Sequence, residues 1–415
     1  MKSGALADYF SGVGTKVLKG TEVDPTVSRG HELQGVSDFR VFLGTPSEKT
    51  KIPVNYVWLS DDTDPIVKSL DGTWYDSRQG QTHREPEYRL YYPRAAEEVI
   101  YRARAEDRLF LCKTKEGPLL ALFCPRNSSI EQQLLWLFGL APTTSDKVVP
   151  VDLRKGGGRS LDLAARYVLE LIDIDVVVTE DELLDRLTAT FNGEFPSTVR
   201  FSEFTRKMAK EVNPRDDPDD ALVSWMDLEE RLFMTLERRL VGERLKQGFV
   251  TSGGPDVDGF VKFSLGVQNR RKSRAGWAFG NHIEALLTSH EIRYKREATT
   301  EKRNGPDFLF PGEAEYHNPA WPQDRLTMLA AKTSCKDRWR QVLAEADRIR
   351  NKHLLTLEPG ISVTQTNEMK SQNLQLVVPA RLHETFRDEQ KSDLMSVRDF
   401  LALVRERQES GSSPF

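Results

Sequence analysis

Over the first 155 residues the apolar positions fall in short alternating or continuous runs, at 39–43, 56–59, 88–92, 109–112 and 119–124, separated by turn formers such as Glu116-Gly117-Pro118. This spacing predicts a mostly β region. A helix is expected over Ser129–Phe138, and two more at Leu161–Leu171 and from about Glu180. From Asp219 the period changes: Leu222, Trp225, Leu228, Leu232, Leu236 and Leu240 repeat at helical spacing, which predicts a core or dimer helix. Its charged face, Glu229, Glu230, Glu237, Arg238 and Arg239, is expected in solvent. Phe279, Ile283, Leu286 and Leu287 mark a further helical face. Beyond it, strand-like runs at 308–310, 326–331, 353–357 and 374–378 alternate with helices after Lys336, from Val363 and from Val397. Such alternation predicts an α/β region with helices covering a sheet.

The organisation read from these runs is a first domain over 1–155, a hinge with short helices over 156–193, a second domain over 194–408 and a disordered tail over 409–415. Gly156-Gly157-Gly158 suits a hinge and equally a passive tether. The net charge of −4, from 59 basic and 63 acidic residues, gives no global basic field, so nucleic-acid binding has to rest on local clusters such as Arg270-Arg271-Lys272. Cys112, Cys124 and Cys335 form no CxxC pair and support neither a disulfide framework nor a zinc site. No apolar stretch is long enough for a membrane span, and the expected location is cytoplasmic.

The chemistry concentrates between Pro306 and Glu345. Asp307 opens the apolar run Phe308–Phe310, and Lys332 closes the run that starts at Leu326. On adjacent strands the two would converge at one sheet edge, the carboxylate to hold a divalent cation and the ammonium to orient water and offset phosphate charge. Sites of this PD…(D/E)xK kind carry a second acid two residues before the lysine, where this chain has Ala330. Glu345, beside Ile349 on a wheel with Trp339, Val342, Leu343 and Ala346, is the candidate for that acid, although alone it reads as an ordinary amphipathic-helix residue. Lys336, Asp337 and Arg338 place two cations at that helix's N-terminus, against its dipole. Donors and acceptors of this kind read G·C pairs in the major groove; the alternative is surface ion pairs. Pro218-Asp219 and Pro255-Asp256 lack a strand ending in lysine and are set aside. His282, His290 and His317 lack ligand spacing and are read as structural or exposed.

The strings QNRRKSRAG, PDFLFP, AAKTSCKDRWRQVLAEAD and HLLTLEPGIS resemble the catalytic half of the EcoRII-like family of restriction endonucleases, over roughly residues 194–385. More loosely, WYDSRQGQTHREPEYRLYYPR resembles that family's N-terminal effector-binding domain. The resemblance implies an N-terminal pseudobarrel that binds DNA and a C-terminal restriction-endonuclease fold. It implies a Mg²⁺-dependent homodimer cutting double-stranded DNA at a CC/GG-containing, near-palindromic site, with Asp307, Lys332 and Glu345 as the catalytic set and Asp307 and Glu345 as metal ligands. A helper carboxylate belongs on the helix after the basic cluster, where Gly280 stands at the first matching position and Glu284 at the second. DNA recognition falls to Lys336, Asp337 and Arg338, with Arg271 and Lys272 on phosphates. Effector DNA falls to two arms, Thr26–Gly35 with Arg29 and His31, and Ser77–Arg94 with Arg78, Arg84, Glu85, Arg89 and Arg94, although an ordinary solvated hairpin with packed tyrosines stays open for the second arm.

In that family the N-terminal domain covers the cleft until a second DNA site is bound, and a cytosine methyltransferase is a companion to look for. Two alternatives remain: a DNA-binding regulator with a weakened nuclease core, motivated by Gly280, and a repair nuclease, which G·C reading by Lys336, Asp337 and Arg338 disfavours.

Overall fold

A computed structural model describes residues 5–28, 30–81, 83–141, 149–152, 161–174, 181–192, 194–251, 253–301, 305–335 and 338–409. The Gly156–Gly158 connector and the last six residues lie outside these. The chain forms two compact units, Met1–Ile172 with Gly360–Thr364, and Asp173–Pro359 with Gln365–Phe415.

Among the described residues the first unit is built on eight strands: β1 (Phe10–Val17), β2 (Glu32–Leu33), β3 (Thr50–Trp58), β4 (Ile66–Asp76), β5 (Tyr88–Tyr91), β6 (Arg108–Thr114), β7 (Leu119–Cys124) and β8 (Val149–Asp152). They form one sheet in the order β2-β5-β4-β3-β7-β6-β1-β8, in which β3 and β7 pair parallel and the other pairs are antiparallel. Short helices α1 (Gly20–Val23), α2 (Arg40–Leu43) and α3 (Glu97–Ile100) pack with it, followed by α4 (Ser129–Phe138) and α5 (Leu163–Leu171). The core gathers Phe39, Tyr56, Trp74, Leu90, Tyr92, Leu111 and Phe123.

The expected strand at 39–43 is instead a helical turn. Phe39 and Phe42 are buried three positions apart while Val41 is 46% exposed, a helical and not an alternating pattern. Gly44, at φ +83°, ends the turn, and Gly12 of β1 leaves room for Phe42: a Cβ there would lie 2.5 Å from the Phe42 side chain. β1 escaped the sequence reading because two of its buried positions are polar. Lys16 is 1% exposed and reaches Glu22 Oε2 at 2.7 Å, and Glu22 accepts the Gln34 amide at 2.8 Å. This pair fastens the segment that leads into β2.

The second unit opens with α6 (Asp181–Phe191), α7 (Thr198–Met208) and α8 (Pro218–Gln247), which share a core of Leu183, Leu187, Phe191, Phe201, Leu232, Phe233 and Leu236. A two-stranded ribbon, β9 (Val250–Thr251) and β10 (Gly254–Pro255), leads into α9 (Val257–Ser289), so the basic stretch of 268–276 lies inside one long helix. Two members of the α8 charged face are not in solvent. Glu229 and Glu237 are each 1% exposed; Glu229 faces His282 at 2.9 Å and Glu237 faces Arg271 at 2.6 Å.

Five strands follow, β11 (Lys295–Arg296), β12 (Phe308–Phe310), β13 (Thr327–Lys332), β14 (Lys352–Thr356) and β15 (Leu374–Val377), hydrogen-bonded in chain order. β11, β12 and β13 pair antiparallel, and β13, β14 and β15 pair parallel. Helices α10 (Glu313–His317), α11 (Trp339–Val342), α12 (Val363–Ser371), α13 (Asp388–Lys391) and α14 (Val397–Glu409) complete the chain. None of the helices is long and apolar enough to cross a membrane among the described residues.

The two Pro-Asp pairs set aside in the sequence are helix starts. Asp256 caps α9 by accepting the Gly259 amide at 2.9 Å. Pro218 sits in the first turn of α8, and Asp219, 4% exposed, accepts the amides of Ala380 (2.9 Å), Val397 (2.8 Å) and Arg398 (3.0 Å). One buried carboxylate thus ties α8 to the start of α14. Asp219→Ala strands these amides and is expected to destabilise the second unit by about 2–4 kcal/mol. A urea titration followed by tryptophan fluorescence checks it; a shift no larger than that of an exposed Asp388→Ala control would show the staple to be dispensable.

Candidate active site

The burial of β13 explains where its chemistry can stand. Thr327, Met328, Leu329 and Ala330 are buried, and the strand opens to solvent only at Ala331 and Lys332. β12 runs antiparallel beside it, with Phe308 opposite Leu329, so Asp307 stands immediately before β12 at the end where β13 closes. Asp307 Oδ2 accepts the Lys332 ammonium at 2.9 Å and the Ala331 amide at 2.7 Å. The two side chains keep 37% and 23% exposure, so the pair is reachable from water.

Glu345 comes to the same place by a route the sequence did not predict. The expected helix beyond Lys336 is only the four residues of α11; it stops at Val342, and Ala346 takes φ +50°. The amides of 346–348 turn away from the helical ladder: Ala346 donates to Thr300 Oγ1 (3.3 Å), Asp347 to Glu301 Oε2 (3.2 Å) and Arg348 to the Tyr316 hydroxyl (3.2 Å). The carbonyls are gathered by Lys352, 7% exposed, whose ammonium donates to Glu345 O, to Ala346 O (3.0 Å) and to Ile349 O (3.1 Å). External partners for backbone donors and acceptors outcompete the helix. Trp339 and Val342 are buried as expected on α11, while Ala346 and Ile349 are buried on the turn beyond it and not on a continuing helical stripe.

On this turn Glu345 Oε2 is buried and has no hydrogen-bond partner. Burial pushes the Glu345 carboxyl up to about 7; among the charges in range, the Lys332 and Lys352 ammoniums pull it down and Asp307 pushes it up. A buried carboxylate oxygen without a donor, beside a second carboxylate, fits a cation as the missing partner. Among the described residues no group of three or more His, Cys, Asp or Glu side chains is arranged as a metal cluster.

Glu284 is held elsewhere. Its carboxylate takes Arg296 Nη1 at 2.9 Å and the Tyr294 hydroxyl at 3.1 Å. Arg296 also donates to Asn281 Oδ1 at 2.9 Å and lies against Gly280, where a Cβ would meet its Nη2 at 2.6 Å. Gly280 therefore makes room for a guanidinium. The three histidines behave as structural groups: His282 is fully buried against Glu229, and the Nε2 atoms of His290 and His317 meet the carbonyls of Pro214 (2.8 Å) and Thr299 (3.0 Å).

Of the expected DNA-reading residues, Lys336 and Asp337 lie outside the described residues, as does the side chain of Lys272. Arg338 is exposed, and its guanidinium donates to Ser334 O at 3.0 Å. Arg271 is half-exposed on α9 and paired with Glu237.

In the first unit Arg29 lies outside the described residues. His31 stacks on Tyr92 (5.4 Å between centroids) and faces Glu97 at 2.8 Å. The expected cationic rim is partly neutralised: Arg78 pairs with Glu87 (3.0 Å), and Arg89 pairs with Glu32 (2.7 Å) and Glu87 (3.2 Å). Arg84, Glu85 and Arg94 are exposed. Lys352, Arg296 and the Glu301–Tyr316–Arg348 set were missed by the sequence reading. Only Lys352 left a signal, a charge heading the apolar run that becomes β14.

Residues 233–401 match the family model described as EcoRII C terminal. That part of the chain resembles an EcoRII C-terminal domain. A curated relative, the type II restriction enzyme EcoRII of Escherichia coli, is 41% identical over 187 residues, which span 45% of this chain and 45% of that enzyme. The match thus covers about half the length of each. Among solved structures, metal-depleted Ecl18kI in complex with uncleaved DNA gives a TM-score of 0.44 at 17% identity, covering 57% of this chain and 88% of that one. A PspGI–substrate DNA complex gives 0.39 at 14% identity, covering 58% and 97%.

The matched region holds Glu345 on the Lys352-bound turn, which yields a direct test. Lys352→Met leaves buried carbonyls without a donor and is expected to cost about 2–4 kcal/mol. Amide exchange at Ala346, Asp347 and Arg348 should accelerate by at least an order of magnitude, read by hydrogen–deuterium exchange. Unchanged protection there would mean that the turn stands without the lysine.

Proposed function

We propose that the chain is a type II site-specific deoxyribonuclease that makes Mg²⁺-dependent double-strand breaks at a CC/GG-containing site, with 194–408 as its catalytic domain of restriction-endonuclease type. The observation that carries this reading is the convergence of Asp307, Lys332 and the unpartnered Glu345 oxygen at the open end of β12 and β13, inside the matched domain. Asp307 and Glu345 are the residues that would hold Mg²⁺, which when bound supplies Lewis acidity at a phosphate oxygen. Lys332 Nζ, already on Asp307, sits where it can offset phosphate charge and orient the attacking water. Arg338 reads a guanine, and Arg271, Lys336 and Lys272 add phosphate or base contacts with Asp337 as acceptor.

The first unit, with its eight-stranded sheet, is proposed as the effector-DNA domain, a pseudobarrel whose second-site binding raises cleavage. His31, Arg84 and Arg94, together with Arg29, Arg78, Arg89 and Glu85, are its proposed contacts. The active species is a homodimer, and a companion cytosine methyltransferase would protect host sites. A regulator with a weakened nuclease core is the second reading, favoured by one observation: Arg296 fills the space over Gly280 and ties up Glu284, leaving no helper carboxylate free. Digestion of a plasmid carrying CC-x-GG sites in Mg²⁺ separates the two, and mapped ends give the central bases.

Asp307→Ala and Lys332→Ala should each lower cleavage by at least a thousandfold while retaining specific binding. A Lys332→Ala protein that cuts at a near-native rate removes this site from the chemistry. For the effector reading, the full chain should cut a single-site plasmid slowly, and a short duplex carrying the site should speed it up. If the duplex only competes, the first unit is an affinity module and no switch.

A further inference from the structure

Residues 333–335 leave the end of β13 as irregular backbone, and Arg338 comes three positions after Cys335. Such a loop can read a base only if its exit is fixed, because each unfixed residue carries of order 1–2 kcal/mol of conformational entropy. One carboxylate grips it from below. The Cys335 amide donates to Glu358 Oε2, and both residues are buried, at 1% and 3% exposure. An amide on a buried carboxylate is a strong, charge-assisted bond, and the burial of that charge makes its loss costly.

The grip is itself anchored to the catalytic strand. Thr356, fully buried, is the in-register neighbour of Lys332 across the parallel β13–β14 pair. Its hydroxyl accepts the Glu358 amide at 3.1 Å. The end of β14 therefore meets the chain twice: at Lys332, and three residues later at Cys335. The Arg338 amide in turn donates to Cys335 O at 2.8 Å, so the held residue and Arg338 are joined directly.

We propose that Glu358 is a specificity-determining positioning residue: by holding Cys335 it fixes where Arg338 stands relative to Lys332, and so couples base reading to the cutting position. This rests on the reading of Arg338 as a base contact.

The test compares kcat/KM of the full chain, with saturating effector duplex, on a CC/GG duplex and on the same duplex with one G·C pair replaced by A·T. Glu358→Ala should lower that ratio by about tenfold or more. Glu358→Gln keeps an oxygen that can accept the Cys335 amide and should retain most of the ratio. Glu358→Asp, one methylene short, should behave like the alanine variant, with thermal melts confirming that each is folded.

Equal losses of rate on both duplexes, with the ratio intact, overturn the proposal and leave Glu358 a stability residue. If the alanine variant does not fold, the Asp and Gln variants decide, and equal ratios in those two overturn it. Arg338→Ala runs alongside. A ratio unchanged there ends base reading by Arg338 and this proposal together, as does a wild type that cuts neither duplex. A ratio lost at Arg338 but kept in the Asp variant overturns the role of Glu358 alone.

Discussion

One carboxylate oxygen, Asp307 Oδ2, takes both the Lys332 ammonium and the Ala331 amide, and the second unit's sheet is arranged so that this can happen. The contact contributes little to stability, since a half-exposed ion pair is worth on the order of 0–1 kcal/mol. Its value is geometric. β12 and β13 are held together by buried apolar side chains on Phe308–Phe310 and Thr327–Ala330, and two charges are tolerated only where that burial ends. The end of the strand pair is thus both the one place where the charges can stand and the place where a phosphate can reach them. Glu345 adds a third charge from a turn that Lys352 bends out of the helical path.

Asp307 and Lys332 were legible because each interrupts an apolar run, and a charge at the end of a buried strand needs a reason. Glu345 was legible as a residue, but the helix meant to carry it was not there. The apolar spacing of Trp339, Val342, Ala346 and Ile349 fits a helix and is satisfied by burial alone, while Thr300, Glu301, Tyr316 and Lys352, up to 46 residues away in sequence, decide the backbone. Periodicity reports which side chains go inside. It does not report which backbone groups find a better partner than the next turn of helix.

The same limit governs the charged faces. The side of α8 carrying Glu229 and Glu237 looks solvated by composition, yet His282 and Arg271 on α9 cover those two positions. The cluster from Arg78 to Arg94 looks like an open cationic rim, but Glu32 and Glu87 take up Arg78 and Arg89. A sequence shows how many cations a segment holds; how many still face outward depends on partners from other strands. Arg84 and Arg94 keep their exposure, so the rim's reach toward a phosphate backbone rests on fewer charges than its sequence suggests.

A common use of buried charge runs through both units. Glu22 takes the Gln34 amide, Asp61 the amides of Ser129 and Ile130, Asp219 those leading into α14, and Glu358 that of Cys335, while Lys352 holds carbonyls instead. In each case a charge that would be expensive to bury alone is stabilised by backbone groups that no ladder satisfies, at the start of a helix or in an irregular segment, and that stretch gains a fixed path in return. A regular helix or strand needs no such partner, because its own ladder satisfies it. The charges therefore mark where helices begin and where the backbone leaves regular structure, and near β13 the latter stretches lead to Glu345 and Arg338. The candidate site side chains and the side chains that set their positions are different residues, and the second kind is the more deeply buried: Lys352 and Glu358 are 7% and 3% exposed, against 37% for Asp307 and 23% for Lys332.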